Sequence, residues 1–120
     1  MVETNGHGAA GSSTELPGRW DAVSAMASLD GRLYLVSEGS LHVVDPDGRS
    51  VELSNGWSAV AGMAAVGGKL YIVSDGALYA VGKDGSFLEL TQGWDEVAGM
   101  TTLDGRLYVV SEGKLFLVET

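Results

Sequence analysis

A tandem repeat of 37 residues constrains this chain more than any other feature of its sequence. Trp20, Trp57 and Trp94 are spaced 37 residues apart, and the segments beginning at the first two tryptophans are identical at 18 of 37 positions. The third copy begins at Trp94 and stops early, at Thr120. A repeat of this length indicates one supersecondary unit per copy, because each unit buries its apolar faces only against its neighbours.

Glycine-containing pairs divide each repeat into short segments. In the first repeat they fall at Asp30-Gly31, Glu38-Gly39, Asp47-Gly48 and Asn55-Gly56. An acidic residue or asparagine before glycine supplies the positive backbone angles of tight hairpin turns. Between the turns the side chains alternate with period two, which is typical of strands. We therefore predict four antiparallel strands per full repeat, which in the first are A (23–29), B (32–37), C (40–45) and D (49–54).

One motif recurs in every copy: Gly-Trp or Arg-Trp, a strand of small residues, then Gly-X-Leu-Tyr-X-Val, then Leu-Tyr, Leu-His or Leu-Phe. This unit resembles a short β-propeller blade of the kelch or tachylectin type, and the resemblance covers residues 20–119. It implies an all-β fold of four-stranded antiparallel blades, with strand A lining a central channel. The predicted blades span 20–54, 57–91 and 94–119.

The two ends of the chain complement each other. The third repeat has no strand D, and the residues Val-Glu-Thr occur both at 2–4 and at 118–120. Glu15 and Leu16 precede Trp20 by the same distances at which Glu52 and Leu53 precede Trp57. We therefore predict that 13–16 forms a strand D and that 1–12 is a flexible connection. In known propellers an N-terminal strand completes the last blade, and the resemblance implies the same here.

Three blades leave two apolar blade faces uncovered, and the propellers that these blades resemble have four or more. Apolar patches of that size are unusual on monomeric proteins. We expect a homodimer with a two-fold axis, in which strand D of one copy completes the third blade of the other in a six-bladed ring. A trimer with nine blades is the alternative.

Several recurring residues are candidates for a binding site. The tryptophans at 20, 57 and 94 are expected to pack between blades, and a platform for stacking sugars is the alternative. Acidic side chains occupy turns on one face of the predicted ring, at Asp21, Asp95, Glu38, Asp75 and Glu112. In a dimer they would form an acidic ring that suits a divalent cation, although acids before glycine are also ordinary turn residues. The methionines at 26, 63 and 100 are expected to fill gaps along the channel.

Charge and composition exclude several classes of function. The chain carries 16 acidic and 7 basic residues, a formal charge of −9, which argues against binding nucleic acid or an anionic membrane. It has no cysteine, hence neither a disulfide nor a thiolate metal site. It shows no apolar run that could span a bilayer and no signal peptide, so we expect a soluble protein of undetermined compartment.

Two functions are argued from the sequence, and a platform for protein interaction, which the sequence neither supports nor excludes, also remains open. No nucleophile–base–acid set and no phosphate loop can be assembled from the sequence, so we predict no enzymatic activity and no cofactor. The first hypothesis is a self-assembling propeller fragment, natural or engineered, with a structural role. The second is a multivalent, lectin-like carbohydrate-binding module whose sites recur between blades, at the three tryptophans and at Asp21 and Asp95.

Overall fold

The computed structural model describes residues 10–120, where eleven strands form three antiparallel sheets. The first sheet contains β1 (Val23–Leu29), β2 (Arg32–Ser37), β3 (Ser40–Val44) and β4 (Ser50–Asn55). The second contains β5 (Val60–Val66), β6 (Lys69–Ser74), β7 (Ala77–Val81) and β8 (Phe87–Gln92). The third contains β9 (Val97–Leu103), β10 (Arg106–Ser111) and β11 (Lys114–Val118). In this part of the chain no helix has the length and apolar character needed to cross a membrane.

Each sheet is a meander in which neighbouring strands are consecutive in the chain. Strands A and B have the predicted bounds, whereas strand C ends one residue early and strand D is displaced by one residue. The displacement follows from the turn between them. The amide of Gly48 donates to the carbonyl of Asp45 at 2.8 Å, and the amide of Asp45 donates to the carbonyl of Arg49 at 2.8 Å. These bonds keep 45–49 in the turn.

The hairpin turns take the geometry that the acid-glycine pairs predict. Glu38 and Gly39 have φ angles of 50° and 79°, and Asp75 and Gly76 have 51° and 76°. Positive φ at both central residues defines the type I′ turn, whose twist matches that of the flanking strands. Because glycine adopts this conformation without steric cost, the pair closes the hairpin in two residues.

A bulge recurs at the start of the innermost strand of every blade. Ala22, Ala59 and Glu96 have φ angles of 50°, 45° and 48°, and the strand register shifts beside each of them. The carbonyl of Ala22 accepts a 3.3 Å bond from the amide of Glu38, and the other two blades repeat this bond. The bulge therefore holds the D–A and B–C turns of each blade together on one face.

The three sheets stack as blades around an inner edge formed by β1, β5 and β9, where β5 lies against both of the others. The core between the first two blades includes Tyr34, Val36, Leu41, Leu70, Ile72 and Val81. The core between the second and third includes Tyr71, Val73, Leu78, Leu107 and Val109. A salt bridge between Asp30 and Lys83 also joins the first blade to the second. The all-β architecture of stacked antiparallel blades is thus as predicted, with four strands in the first two blades and three in the third.

Residues 10–19, the described residues before the first blade, carry no strand pairing in this chain, although the sequence predicts strand D at 13–16. Its predicted pairing partner belongs to another copy, so this remains a prediction. Its position is nevertheless informative. A Cβ atom placed on Gly48 would lie 2.6 Å from the Cδ of Pro17 and 3.1 Å from the Cβ of Leu16, and one placed on Gly85 would lie 2.7 Å from the Cβ of Leu53 in β4. Leu16 and Pro17 thus pack on the first blade at the place where Leu53 packs on the second.

Most of the predicted flexible connection at 1–12, including the first Val-Glu-Thr, lies outside the described residues.

Candidate functional site

Trp57 is a packing residue at the junction of the first two blades. Its side chain is 7% exposed and belongs to the core between these blades. The rings of Tyr79 and Phe87 meet it edge-on, with centroids at 5.3 and 5.2 Å. The indole Nε1 donates to the hydroxyl of Ser54 at 3.0 Å, and the backbone amide donates to the carbonyl of Gly39 at 3.0 Å. No face of this ring is left for a sugar.

Trp94 and Trp20 repeat parts of this arrangement but are half-buried. Trp94 donates from Nε1 to the hydroxyl of Thr91 at 2.9 Å and packs edge-on against Phe116 at 5.5 Å. Trp20 packs edge-on against His42, with centroids 5.0 Å apart. The side chains at 42, 79 and 116 thus support the tryptophan of their own blade. These contacts are those expected of packing residues.

The acidic candidates lie in exposed turns at the same end of the blades. Glu38, Asp75 and Glu112 each take the first central position of a type I′ turn, with φ angles of 50°, 51° and 51°. The Asp75 carboxylate accepts a hydrogen bond from the hydroxyl of Ser58, and Asp21 forms a 2.9 Å salt bridge with Arg19.

Asp95 comes close to the B–C turn of the second blade, because its Oδ1 lies 3.3 Å from a Cβ placed on Gly76. Neighbouring D–A and B–C turns therefore approach one another across the blade junction. Even so, no group of three or more His, Cys, Asp or Glu side chains within 10–120 is arranged to hold a metal ion. The acidic ring predicted for a dimer would bring together turns of two copies.

Three buried serines were not among the sequence candidates, yet they organise the same turns. Ser37, Ser74 and Ser111 donate to the carbonyls of Asp21, Ser58 and Asp95 at 2.5, 2.6 and 2.6 Å. Each bond ties the end of strand B to the D–A turn of its own blade. The signal was available in the sequence, since serine precedes the acid-glycine pair in all three repeats.

The inner strands border a cleft of ≈ 270 Å³ lined by the three methionines together with small and hydroxyl side chains. Met63 is buried, whereas Met26 is exposed at the first blade. The side chain of Met100 packs on Gly62, where an added Cβ would lie 2.8 Å from its Cγ. Among the described residues this lining offers no general acid or base, and it fits the predicted role of methionine as a gap filler.

A second cleft recurs at the same place on the first two blades, but its chemistry does not recur. On the first blade it is lined by charged side chains, including Arg32 and Asp45, which form a 3.2 Å salt bridge. Thirty-seven residues later its lining contains Lys69, Gly82 and Phe87. Since Gly82 replaces Asp45, the second cleft lacks that salt bridge. One ligand would therefore not be recognised alike by both clefts.

Two shifted pKa values belong to turns rather than to a reactive site. The carboxylate of Asp30 bonds to and attracts the ammonium group of Lys83, which raises the pKa of Lys83. The hydroxyl and amide of Ser86 donate to Asp84 at 2.7 and 3.0 Å and lower the pKa of that carboxyl group. Both arrangements stabilise the turn between β7 and β8.

No protein-family model matches the sequence, and no curated protein matches it either. Solved structures, in contrast, share its fold. Virginiamycin B lyase from Staphylococcus aureus aligns with a TM-score of 0.67 at 16% identity, covering 88% of this chain and 40% of that one. The WD40 β-propeller domain of Doa1 aligns with a TM-score of 0.67 at 15% identity, covering 87% of this chain and 39% of that one. BamB from Moraxella catarrhalis aligns with a TM-score of 0.61 at 13% identity, covering 77% of this chain and 30% of that one.

These likenesses confirm the β-propeller fold of the blades. The chain spans two-fifths or less of the length of the three structures compared. They include a lyase and a WD40 domain, so the shared fold does not decide whether this chain is catalytic. The narrower kelch or tachylectin resemblance stays a prediction.

Proposed function

We propose that this chain is a structural propeller unit that closes into a ring with a second copy of itself. The proposal rests on the two end faces of the three-blade stack. The outer face of each end blade presents positions that are buried wherever two blades meet inside the chain.

The end face of the third blade shows this most strongly. Leu115 is 68% exposed, whereas Leu41 and Leu78, at the same position of the other blades, are 0% and 1% exposed. Leu103 and Leu117 are exposed on the same face. All three are aliphatic side chains of the third blade, whose opposite face already packs against the second blade. A further blade is the missing cover.

The end face of the first blade is the complementary surface. Met26 is 54% exposed and its equivalent in the second blade, Met63, is 6% exposed. Leu33 is also exposed, while Leu70 and Leu107 at its position are fully buried. This face corresponds to the side of the second blade that packs on the first.

A first blade placed on a third blade would therefore repeat the contact made twice within the chain. Two copies joined in this way at both ends give six blades, and a two-fold axis relates the two contacts. Three copies would give nine blades. The unit is a scaffold, and the proposal assigns it no catalytic role, no cofactor and no nucleic-acid or membrane partner.

Light scattering on a size-exclusion column, over a range of protein concentrations, tests the proposal. The expected mass is twice the 12.5 kDa of the chain, falling towards one chain on dilution. A mass of three chains would select the nine-bladed ring. A compact, folded single chain at micromolar concentration would refute self-closure.

Carbohydrate binding is the second candidate, favoured by one observation. The half-buried Trp94 borders a cleft of ≈ 400 Å³ whose lining includes Gln92, Glu112 and Phe116, a mixture of aromatic and polar groups suited to a sugar. Burial of Trp57 and the differing clefts of the first two blades argue against equivalent sites in every repeat. A glycan array, read with the chain and with Trp94→Ala, tests this candidate. Binding that the substitution abolishes would support it, and no retained glycan would reject it.

A further inference from the structure

Building on the proposed ring, we infer that residues 13–16 of one copy pair with the free edge of β11 in the other, in a defined register. The segment becomes the fourth strand of the third blade. The second copy thus supplies the fourth strand of the third blade, for which the described part of the chain provides only three strands.

The acceptor is an open sheet edge. β3 and β7 each pair on one side with the second strand of their blade and on the other with the fourth. β11 pairs with β10, and no described residue pairs with its other side. An unpaired edge of this kind presents a row of amides and carbonyls that a further strand can satisfy.

The donor segment already has the position of a fourth strand relative to its own first blade. In the complete junction, Leu53 of β4 presses on Gly85 in the next blade, so closely that an added Cβ would lie 2.7 Å from the Cβ of Leu53. At the corresponding place in the first blade, a Cβ added to Gly48 would lie 3.1 Å from the Cβ of Leu16 and 2.6 Å from the Cδ of Pro17, so both residues of the segment approach this glycine. When a third blade of another copy stacks on the first blade, this segment therefore lies along the outer edge of β11.

The two complete blades set the register. Val44, Val43 and His42 pair with Ser50, Val51 and Glu52. Thirty-seven residues later, Val81, Ala80 and Tyr79 pair with Phe87, Leu88 and Glu89. The same offset pairs Val118, Leu117 and Phe116 with Ser13, Thr14 and Glu15 of the second copy.

The irregular end of the donor fits this register too. Both complete blades have a register shift that leaves Leu53 and Leu90 without a pairing partner, and Leu16 occupies the equivalent position. Pro17 follows at the position of Ser54 and Thr91, which pair with Leu41 and Leu78, so it would lie opposite Leu115. An outermost strand next to a bulge tolerates a residue without an amide hydrogen there.

Paired cysteines test the register, because the chain has none of its own. We expect Thr14→Cys combined with Leu117→Cys to give a covalent dimer with two disulfides on mild oxidation. The matched control combines Thr14→Cys with Phe116→Cys, whose side chains point to opposite sheet faces. The in-register pair should oxidise at least about tenfold faster, since a disulfide needs Cβ atoms about 4 Å apart.

Mass measurement of the reduced variant separates failure of this inference from failure of the ring. A reduced mass of two chains with equal, slow oxidation of both pairs would leave the ring intact and overturn strand donation. A disulfide within a single chain would also overturn donation to a second copy. A reduced mass of one chain at micromolar concentration, with wild-type chain behaving likewise, would overturn the ring and the donation together.

Discussion

The hydroxyl of Ser74 shows how one side chain fixes the start of a blade. It donates to the carbonyl of Ser58 at 2.6 Å and accepts from the amide of the same residue at 3.3 Å. Ser58 lies in the D–A turn, next to Ala59, whose positive φ is unfavourable for a residue with a side chain. The buried hydroxyl satisfies backbone groups that the bulge withdraws from the strand ladder.

Replacing Ser74 with alanine should therefore destabilise the fold. The carbonyl of Ser58 would lose a buried donor, a change that costs about 1–3 kcal/mol. Ser24→Ala, at a position of β1 that is exposed in all three blades, where Ala61 and Ala98 are its equivalents, is the matched control and should change the free energy of unfolding by less than about 0.5 kcal/mol. Urea unfolding of both variants measures the difference. Equal midpoints would show that the hydroxyl has no structural role.

At the scale of strands and turns, the sequence predicts most of the fold. Asp30-Gly31 and Glu38-Gly39 take positive φ at both positions, so these pairs place the A–B and B–C hairpins to the residue, and alternation supplies the strands between them. In the C–D turn only Gly48 of the Asp47-Gly48 pair takes positive φ, and strand D begins one residue later than predicted. The bulges could not be predicted, because nothing in the types of Ala22, Ala59 and Glu96 signals a positive φ. The packing role of the tryptophans was predicted. The role of the three buried serines, which bond to the D–A turns, was not, because serine is also common in exposed strands and turns.

The contact between Leu53 and Gly85 makes a sharp prediction for the blade junction. Gly85→Ala should cost about 2 kcal/mol or more, because the new methyl group would clash with β4 in addition to the strain of its φ of 91°. Gly56→Ala is the control, since Gly56 has a φ of 86° and nothing within 4 Å of its added Cβ. Thermal unfolding should separate the two variants. If they are equally destabilised, backbone strain alone accounts for the loss.

For the whole molecule, the sequence predicts the three blades that the structure contains. It does not reveal the chemistry of the clefts, because equivalent positions differ between blades: Asp45 becomes Gly82 and Ser50 becomes Phe87. The sequence predicts two uncovered end faces, but the side chains that lie on them became clear only in the structure, where the same repeat position can be compared in a covered and an uncovered blade. That comparison is possible because the blades are so alike.

The end faces predict how association should be disrupted. Leu115→Glu places a charge where two blades would meet, and we expect it to raise the dissociation constant of the dimer at least tenfold (about 1.4 kcal/mol). Leu88→Glu is the control, because Leu88 is exposed on β8, away from both end faces. Light scattering across concentrations measures the shift. A dimer that tolerates both substitutions would mean that copies meet elsewhere.

The packing of Leu16 near Gly48 has a consequence for how long the two copies of the proposed ring stay associated. When copies share a strand, they separate only after the ladder along β11 has opened, so dissociation is coupled to local unfolding. Differently labelled rings, mixed after assembly, would then exchange subunits far more slowly than copies held by side-chain contacts alone. The comparison is a permuted chain whose ends lie at a D–A turn. Each of its blades would take all four strands from one copy, while its end faces would be the same. Its rings should reshuffle quickly.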